Sequence, residues 1–313
     1  MWRLVAITGA TLFAANCALA DSPGATRITL LYNASAAFTA AFVAKDQAFF
    51  AKRGLEVEFS LMQSGAVMPP ALVAGSAQIA TPTAAVLVQA DEQGLDLVMI
   101  ANTTTYPLPP HSGGVVARSE SGIKSASDLV GRKVGLPSLG GIFEILMRNW
   151  AQANSIDDHK IDWAEVQIRQ MGDALKAGLV DAVVPVEPFY SRIVDSHIGY
   201  DIGDFESVVP PGTTPVVYAA TRSWAMQNAE AVRSFRAGLD DAIGFIRDSA
   251  HASAVRNSIA SYTKLPPEAA ATLAVPSNLE THAKPESLAF WIKVMREQGL
   301  IHGNPDPTSF ILR

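Results

Sequence analysis

Ser138, Gly140 and Gly141 stand in the run Pro137-Ser-Leu-Gly-Gly-Ile142, between the short apolar stretch 134–136 and a segment where Phe143, Leu146, Met147 and Trp150 recur at helical spacing. A strand, a small-residue turn and an amphipathic helix leave the first helical N–H groups without intrahelical partners. Two glycines let a ligand approach that backbone, and the helix dipole adds partial positive charge. With the Ser138 hydroxyl, the turn is suited to a small polar or anionic group; an ordinary strand-to-helix turn fits the same residues. Other candidates have two readings each. Glu187 can receive an amine or ring nitrogen, or sit before its own helix for electrostatic reasons. Thr81 can face a ligand or cap a helix. Phe38 and Tyr106 can stack on a ring or pack in a core. Arg222 can meet a carboxylate or stay solvated.

Signals for catalysis and metal binding are poor. The six histidines are scattered with no ligand spacing. Ser121-Gly-Ile-Lys124 and Ser261-Tyr-Thr-Lys264 match S-x-x-K without the partner motifs that give it meaning, and G-x-S-x-G is absent. No catalytic residue, metal ligand or cofactor is therefore assigned.

The elements that must position these residues alternate. An apolar strand over 27–33 ends at Asn33-Ala34-Ser35, which can cap a helix running to about Arg53 and stopped by Gly54. Residues 55–61 alternate apolar and polar as a half-buried strand, and Ser64-Gly65 form a turn. A helix through 71–74, a strand over 77–80 and a helix opened by Thr81-Pro82 follow, then a strand over 95–101. The order implies a mostly parallel sheet covered by helices, with ligands beyond the strands' carboxyl ends. That rule marks 33–35, Ser64-Gly65 and 81–83.

Residues 102–114 break the rhythm with threonines, Tyr106 and three prolines, and 210–215 break it again. Between them the strand–helix pattern restarts. Beyond Trp224 the chain reads as helical nearly to its end. The two breaks divide the chain into lobe one (21–104), lobe two (105–209) and a return to lobe one (210–313), with the cleft between lobes as the ligand site. The stretches 71–80 and 174–183 echo one another, as two similar lobes would require.

The chain has 313 residues, about two domains by length. Arg3, the apolar run 4–15 and Ala18-Leu-Ala20 form an export signal expected to be cleaved before Asp21. Cleavage removes Cys17, the one cysteine, and so excludes disulfides and thiolate chemistry. Ala14 and Asn16 do not suit lipid attachment at Cys17. The formal charge of −6 becomes −7, and without a basic run nucleic acid is a poor partner. The expected product is a periplasmic monomer.

Four stretches carry a resemblance: AFVAKDQAFFAKRGLEVEF (41–59), ALVAGSAQIA (71–80), SASDLVGRKVGLPSLGG (125–141) and ALKAGLVDAVVPVEPF (174–189). Together they resemble the nitrate-, sulfonate- and taurine-type solute-binding proteins of ABC transporters, a family that includes binders of thiamine-pyrimidine precursors. The resemblance implies an α/β chain of type II periplasmic-binding-protein fold, two doubly wound lobes joined by a two-segment hinge. It implies an ABC permease as partner and a small organic anion, sulfonate-like or an aromatic carboxylate, as ligand. By position it makes Asn33, Ala34, Ser35, Ser64, Gly65, Thr81, Ser138, Gly140, Gly141 and Glu187 ligand-facing, with Phe38, Tyr106 and Ile142 as further candidates. Three residues depart from the pattern. Ala48 and Gln78 replace a usual glycine and aspartate without evident consequence. Gly141 replaces a threonine, removing a hydroxyl from the anion end and opening the alternative of a pyrimidine. The pyrimidine synthases of thiamine biosynthesis share the fold, but an export signal and a cysteine-free chain speak against that enzyme. A ligand sensor without a permease is a third reading.

Overall fold

The computed structural model describes residues 24–62, 65–107 and 113–312; the stretch expected to be an export signal and Ser64 lie outside them. Ten strands are β1 (Thr26–Tyr32), β2 (Leu55–Leu61), β3 (Ile79–Ala80), β4 (Leu97–Asn102), β5 (Val115–Arg118), β6 (Lys133–Leu136), β7 (Asp162–Glu165), β8 (Ala182–Val183), β9 (Gly199–Gly203) and β10 (Val217–Thr221). Ten α-helices accompany them: α1 (Thr39–Asp46), α2 (Met68–Val73), α3 (Ala84–Glu92), α4 (Ile142–Ala153), α5 (Met171–Lys176), α6 (Phe189–Asp195), α7 (Arg222–Gln227), α8 (Ala229–Arg247), α9 (Ala252–Thr263) and α10 (Ala289–Glu297).

The strands form two five-stranded sheets, β2-β1-β3-β10-β4 and β7-β6-β8-β5-β9. In the first, β1 pairs parallel with β2 and β3, while β10 runs antiparallel between β3 and β4. In the second, β6 pairs parallel with β7 and β8, and β5 runs antiparallel between β8 and β9. Each sheet is thus mostly parallel with one reversed strand. The chain leaves the first sheet after β4 and re-enters it at β10, so two segments connect the lobes.

Both connections are pinned by buried polar groups. The Thr214 hydroxyl donates to the Asn102 side-chain oxygen, with the carbonyls of Thr104 and Val216 at 3.1 Å each. The fully buried Trp291 on α10 donates its indole N–H to the Thr214 carbonyl at 2.6 Å. A lone buried carbonyl is costly, so this bond fixes the second crossing against the C-terminal part of the chain.

The helical continuation expected beyond Trp224 holds through α8 and α9 and then fails. Residues 264–288 form 3₁₀ turns and irregular chain. Pro266-Pro267 ends the regular helix, because proline lacks the N–H that would continue it. The irregular segment is tied to the first crossing: the Thr104 hydroxyl donates to the Asn278 carbonyl at 2.9 Å, and the Asn278 amide donates to the Thr105 carbonyl at 2.8 Å.

The first helix is also shorter than its pattern suggests. It stops at Asp46 because Ala48 adopts φ 58°, a left-handed conformation that crowds an L residue's Cβ. The departure from glycine at Ala48, read from sequence as without consequence, therefore places a strained residue at a helix end. Ala48 is exposed, so no packing is lost by removing its methyl. Ala48→Gly is expected to stabilise the protein by about 1 kcal/mol, read as a higher urea midpoint at unchanged slope.

Candidate functional site

The carboxyl ends of the two sheets face one another across a cleft. The lobes touch there: the Ala36 N–H donates to the Glu187 carbonyl at 3.2 Å, and the Gln89 amide donates to the Gly140 carbonyl at 3.2 Å. The Gln298 amide reaches the Ile145 carbonyl at 3.1 Å. The cleft has an inner cavity of about 130 Å³ and an outer one of about 60 Å³. Asn33, Thr83, Ile142, Phe143 and Ile168 border both. A single water needs about 10–15 Å³ by this measure, so the inner cavity suits one small substituted ring.

The inner cavity is built from four places in the chain. Asn33 and Ser35 follow β1, and Ser35 caps the turn 36–38 by accepting the Ala37 N–H at 3.2 Å. Tyr106 comes from the first crossing, where its N–H donates to Thr213 at 2.8 Å and its carbonyl accepts from Gly212 at 2.8 Å. Lobe two supplies Phe143 and Leu146 of α4, Glu187 ahead of α6, and Glu206 from the 3₁₀ turn Phe205–Val208. The last wall is Ala274, Val275, Pro276, Asn278 and Leu279 of the irregular C-terminal segment. Most of this lining is apolar. Among the described residues it holds two carboxyl groups and no lysine or arginine.

Glu206 is the strongly perturbed group. Burial pushes its carboxyl up to about 8, the Asp204 charge adds to the rise, and a hydrogen bond from the Tyr106 hydroxyl opposes it. The same burial holds the Tyr106 phenol well above its usual range, so it stays a donor. Glu206 is fixed locally by its own N–H, which donates to the Asp204 carboxylate at 2.8 Å. Glu187 accepts from the Ser191 hydroxyl one turn on.

The outer cavity is lined by Ala34, Gly65, Ser138, Gly141 and Ile142, and also by Gln167 and the exposed Arg169. A Cβ built on Gly141 would lie 2.3 Å from the Ser138 hydroxyl oxygen, so only glycine fits beside that serine rotamer.

Several expected positions differ. Gly140 is exposed and borders neither cavity; its N–H donates to the Glu144 carboxylate at 2.6 Å. Glu144 is in turn held by Arg148 at 2.6 Å, and Arg148 also pairs with Asp158. The Gly140 N–H just ahead of that helix is thus already bound by the protein's own carboxylate. Phe38 is fully buried in the lobe-one core against Phe42 and Tyr218, away from the cleft. Thr81 is also fully buried; its hydroxyl donates to the Leu31 carbonyl at 3.2 Å. Strand pairing persists through Thr81, so the helix begins two residues later and Thr83 caps α3, accepting the Val86 N–H at 3.2 Å. Arg222 is tied to Asp96 at 2.8 Å and to the Ser309 carbonyl. Phe143, expected among the core-facing residues of α4, is turned into the cleft instead.

Sequence reasoning missed Glu206 and the wall at 274–279. Glu206 sits in an acidic-looking surface run, Asp204-Phe-Glu206, with no motif to mark it. The wall lies beyond every stretch with family resemblance.

Two α/β lobes, crossed twice by the chain and closing on a cleft, define a periplasmic-binding-protein fold. The NMT1/THI5-like family pattern matches residues 35–251, and the chain belongs to that family. The alkanesulfonate-binding protein SsuA from Xanthomonas axonopodis pv. citri, bound to MOPS, is similar in structure: TM-score 0.77, 17% identity, 94% of this chain and 100% of that one. So is the periplasmic nitrate-binding protein NrtA from Synechocystis PCC 6803, at TM-score 0.75, 15% identity, 92% of this chain and 86% of that one. A curated relative, the "Putative thiamine biosynthesis protein" of Haemophilus influenzae, is 29% identical over 149 residues, 46% of this chain. The match spans 44% of that relative's length, under half of it.

The raised carboxyl of Glu206 has a stability consequence. Its folded value, about 8, exceeds the ordinary 4.5, so its contribution is greatest below 4.5 and is lost as pH rises through 8. Glu206→Gln removes that dependence. The stability of the variant minus that of the wild type is expected to increase between about pH 4.5 and 8, by at most about 1.4 kcal/mol per pH unit, in urea titrations across that range.

Proposed function

We propose that this protein is the exported solute-binding component of an ABC-type importer and that it captures a small amino-substituted nitrogen heterocycle, of the pyrimidine kind used in thiamine assembly. The observation that carries the reading is the inner cavity: an apolar, ring-sized space with two carboxyl groups, Glu187 and Glu206, and no cation on its walls. An amino group and ring nitrogens are complementary to such walls; a sulfonate or nitrate would meet carboxyls. The turn at Gly140 offers an anion little, since its N–H is occupied by Glu144. The relative with a thiamine-related name supports the same class.

Capture follows from the geometry. Phe143, Ile142 and Leu146 provide apolar contact on one side and the segment 274–279 on the other, with Glu187 and Tyr106 at the rim of the ring plane's polar groups. Burial of the ring removes apolar area from water at about 25 cal/mol per Å². Closure of the lobes at the Ala36–Glu187 and Gln89–Gly140 contacts brings these walls together, and the closed pair of lobes is the form a permease would receive. The lining provides recognition rather than a nucleophile poised beside a base.

A thermal-shift titration of the chain from Asp21 separates the ligand classes. 4-Aminopyrimidine is expected to raise the unfolding midpoint with concentration, by about 2.7 kcal/mol of stabilisation at a hundredfold excess over Kd. Ethanesulfonate, nitrate and benzoate are expected to leave it unchanged, and the recovered aminopyrimidine should have an unaltered mass. Glu187→Ala should weaken binding roughly tenfold, the loss of one charge-assisted hydrogen bond. A shift with the sulfonate alone would overturn the reading and move the ligand to the outer cavity beside Arg169 and Ser138.

A further inference from the structure

Two carboxyls in one apolar cavity pose an electrostatic question that cation-free walls leave to the protons. Among the described residues, the cavity wall around Glu206 draws on several elements. Tyr106 from the first crossing donates to it, and Asp204 on its own turn adds negative charge. Glu187 borders the same cavity from ahead of α6. From α4 come Phe143 and Leu146; from lobe one Asn33, Ser35, Thr83 and Thr104; from the C-terminal wall Asn278. No lysine or arginine is among them. Among the described residues of this wall no cation faces Glu206, so burial and the Asp204 charge both favour the protonated acid.

A protonated carboxyl has a chemistry that a carboxylate lacks. One oxygen carries a proton to donate, and the other accepts. The Tyr106 phenol keeps its proton and directs it at Glu206, so it occupies an accepting site of the acid, and the acid O–H is available to a ligand. An acid O–H beside a carbonyl is complementary to a ring nitrogen beside an exocyclic amino group. The ring nitrogen accepts, and the amino group donates, in one bidentate pair.

Building on the ligand class just proposed, we propose that Glu206 binds its ligand as a neutral carboxylic acid, donating to a ring nitrogen and accepting from the adjacent amino group, and so selects a neutral amidine-like edge over any anion. No net proton is exchanged with solvent when this pair forms at neutral pH. The proton is already on Glu206 and stays within the pair. Tyr106 is a positioning residue: it sets the acid's orientation and, by stabilising the carboxylate, keeps the value from rising further.

The sign of the pH dependence follows. The bound state holds one proton in the pair. Affinity is therefore flat from above the ligand's own ring-nitrogen titration up to about pH 8, and weakens beyond it as free Glu206 loses its proton, approaching tenfold per pH unit. A carboxylate that takes the neutral ligand through its amino group alone would behave in the opposite way, releasing the Glu206 proton on binding, with affinity rising towards pH 8.

The test is isothermal titration of 4-aminopyrimidine into the wild type, Glu206→Gln, Glu206→Ala and Tyr106→Phe between pH 6.5 and 9.5 (about three units spanning the break), in paired buffers of different ionisation enthalpy. Glutamine is a permanent neutral donor–acceptor, the side chain that pairs bidentately with an adenine edge. Glu206→Gln is expected to bind within about threefold of wild type at neutral pH and to lose the weakening above pH 8. Glu206→Ala should bind roughly ten- to hundredfold more weakly. Tyr106→Phe should move the break to higher pH, and melting midpoints of each variant establish that it is folded. Binding by the wild type that is lost by a folded Glu206→Gln, or that strengthens towards pH 8 with proton release, overturns the neutral-acid pairing while leaving the ligand class intact. Absence of binding by the wild type at every pH overturns the ligand class itself and this pairing with it.

Discussion

Everything about this cleft depends on the chain crossing twice between the sheets and on what fixes those crossings. Thr214 is the centre of that arrangement: its hydroxyl reaches Asn102 of the outgoing segment, and its carbonyl is bound by Trp291. A backbone carbonyl buried this deeply has no water to fall back on, so the crossing is held where the indole can meet it. From this point outward each wall follows. Tyr106 is set by pairing with Gly212 and Thr213 across the two crossings. The start of α3 is set by the Ala84 N–H bound to the Pro215 carbonyl at 2.9 Å, which brings Thr83 to the cavity. The wall at 274–279 hangs on the outgoing crossing through Thr104 and Asn278. The ligand site and the hinge are therefore one structure, and a change in lobe angle moves three of the four walls.

The architecture was legible because its causes are local. Alternating apolar strands, glycine stops and the two proline-rich breaks each have a short-range physical meaning, and two five-stranded sheets with the return strand β10 are what they assemble into. The site was legible only where strand ends carry it. Asn33, Ala34, Ser35 and Ser138 lie in the cleft because residues after a strand's carboxyl end must turn there. Thr81 against Thr83 shows the limit: a helix opening after a proline was placed two residues early, since nothing local reveals that Thr81 is still paired with Leu31. Glu206 was invisible for a deeper reason. Its meaning lies in burial against the Tyr106 hydroxyl a hundred residues away, and no spacing rule reaches that far.

The anion reading of the glycine turn shows how a sound local argument can be overridden. The Gly140 N–H lies just ahead of the helix, and anions do favour that position. The protein supplies the anion itself, through Glu144 one turn into α4, and holds it there with Arg148. Burial works against the Arg148 charge, and its bonds to Glu144 and Asp158 outweigh that and hold its value above the ordinary one. A carboxylate at this position neutralises the dipole and leaves the outer cavity with Ser138 and Arg169 as its polar features.

The polarity of the cleft is consequently the reverse of what its most conspicuous motif implies. The cationic side chain is at the exposed mouth, and the acidic ones are inside. Coulomb interaction between exposed charges is weak in water, about 1 kcal/mol at 4 Å, and grows as water is excluded. In the inner cavity Glu206 sits among mostly apolar side chains and beside a phenol that keeps its proton. Its inner walls include the segment 274–279, which lies outside the span matched by the family pattern. The span matched by the family pattern builds the two lobes and supplies both carboxyls and most of the inner wall; the segment 274–279, beyond that span, adds the remaining wall, and burial among these residues is what raises the Glu206 carboxyl.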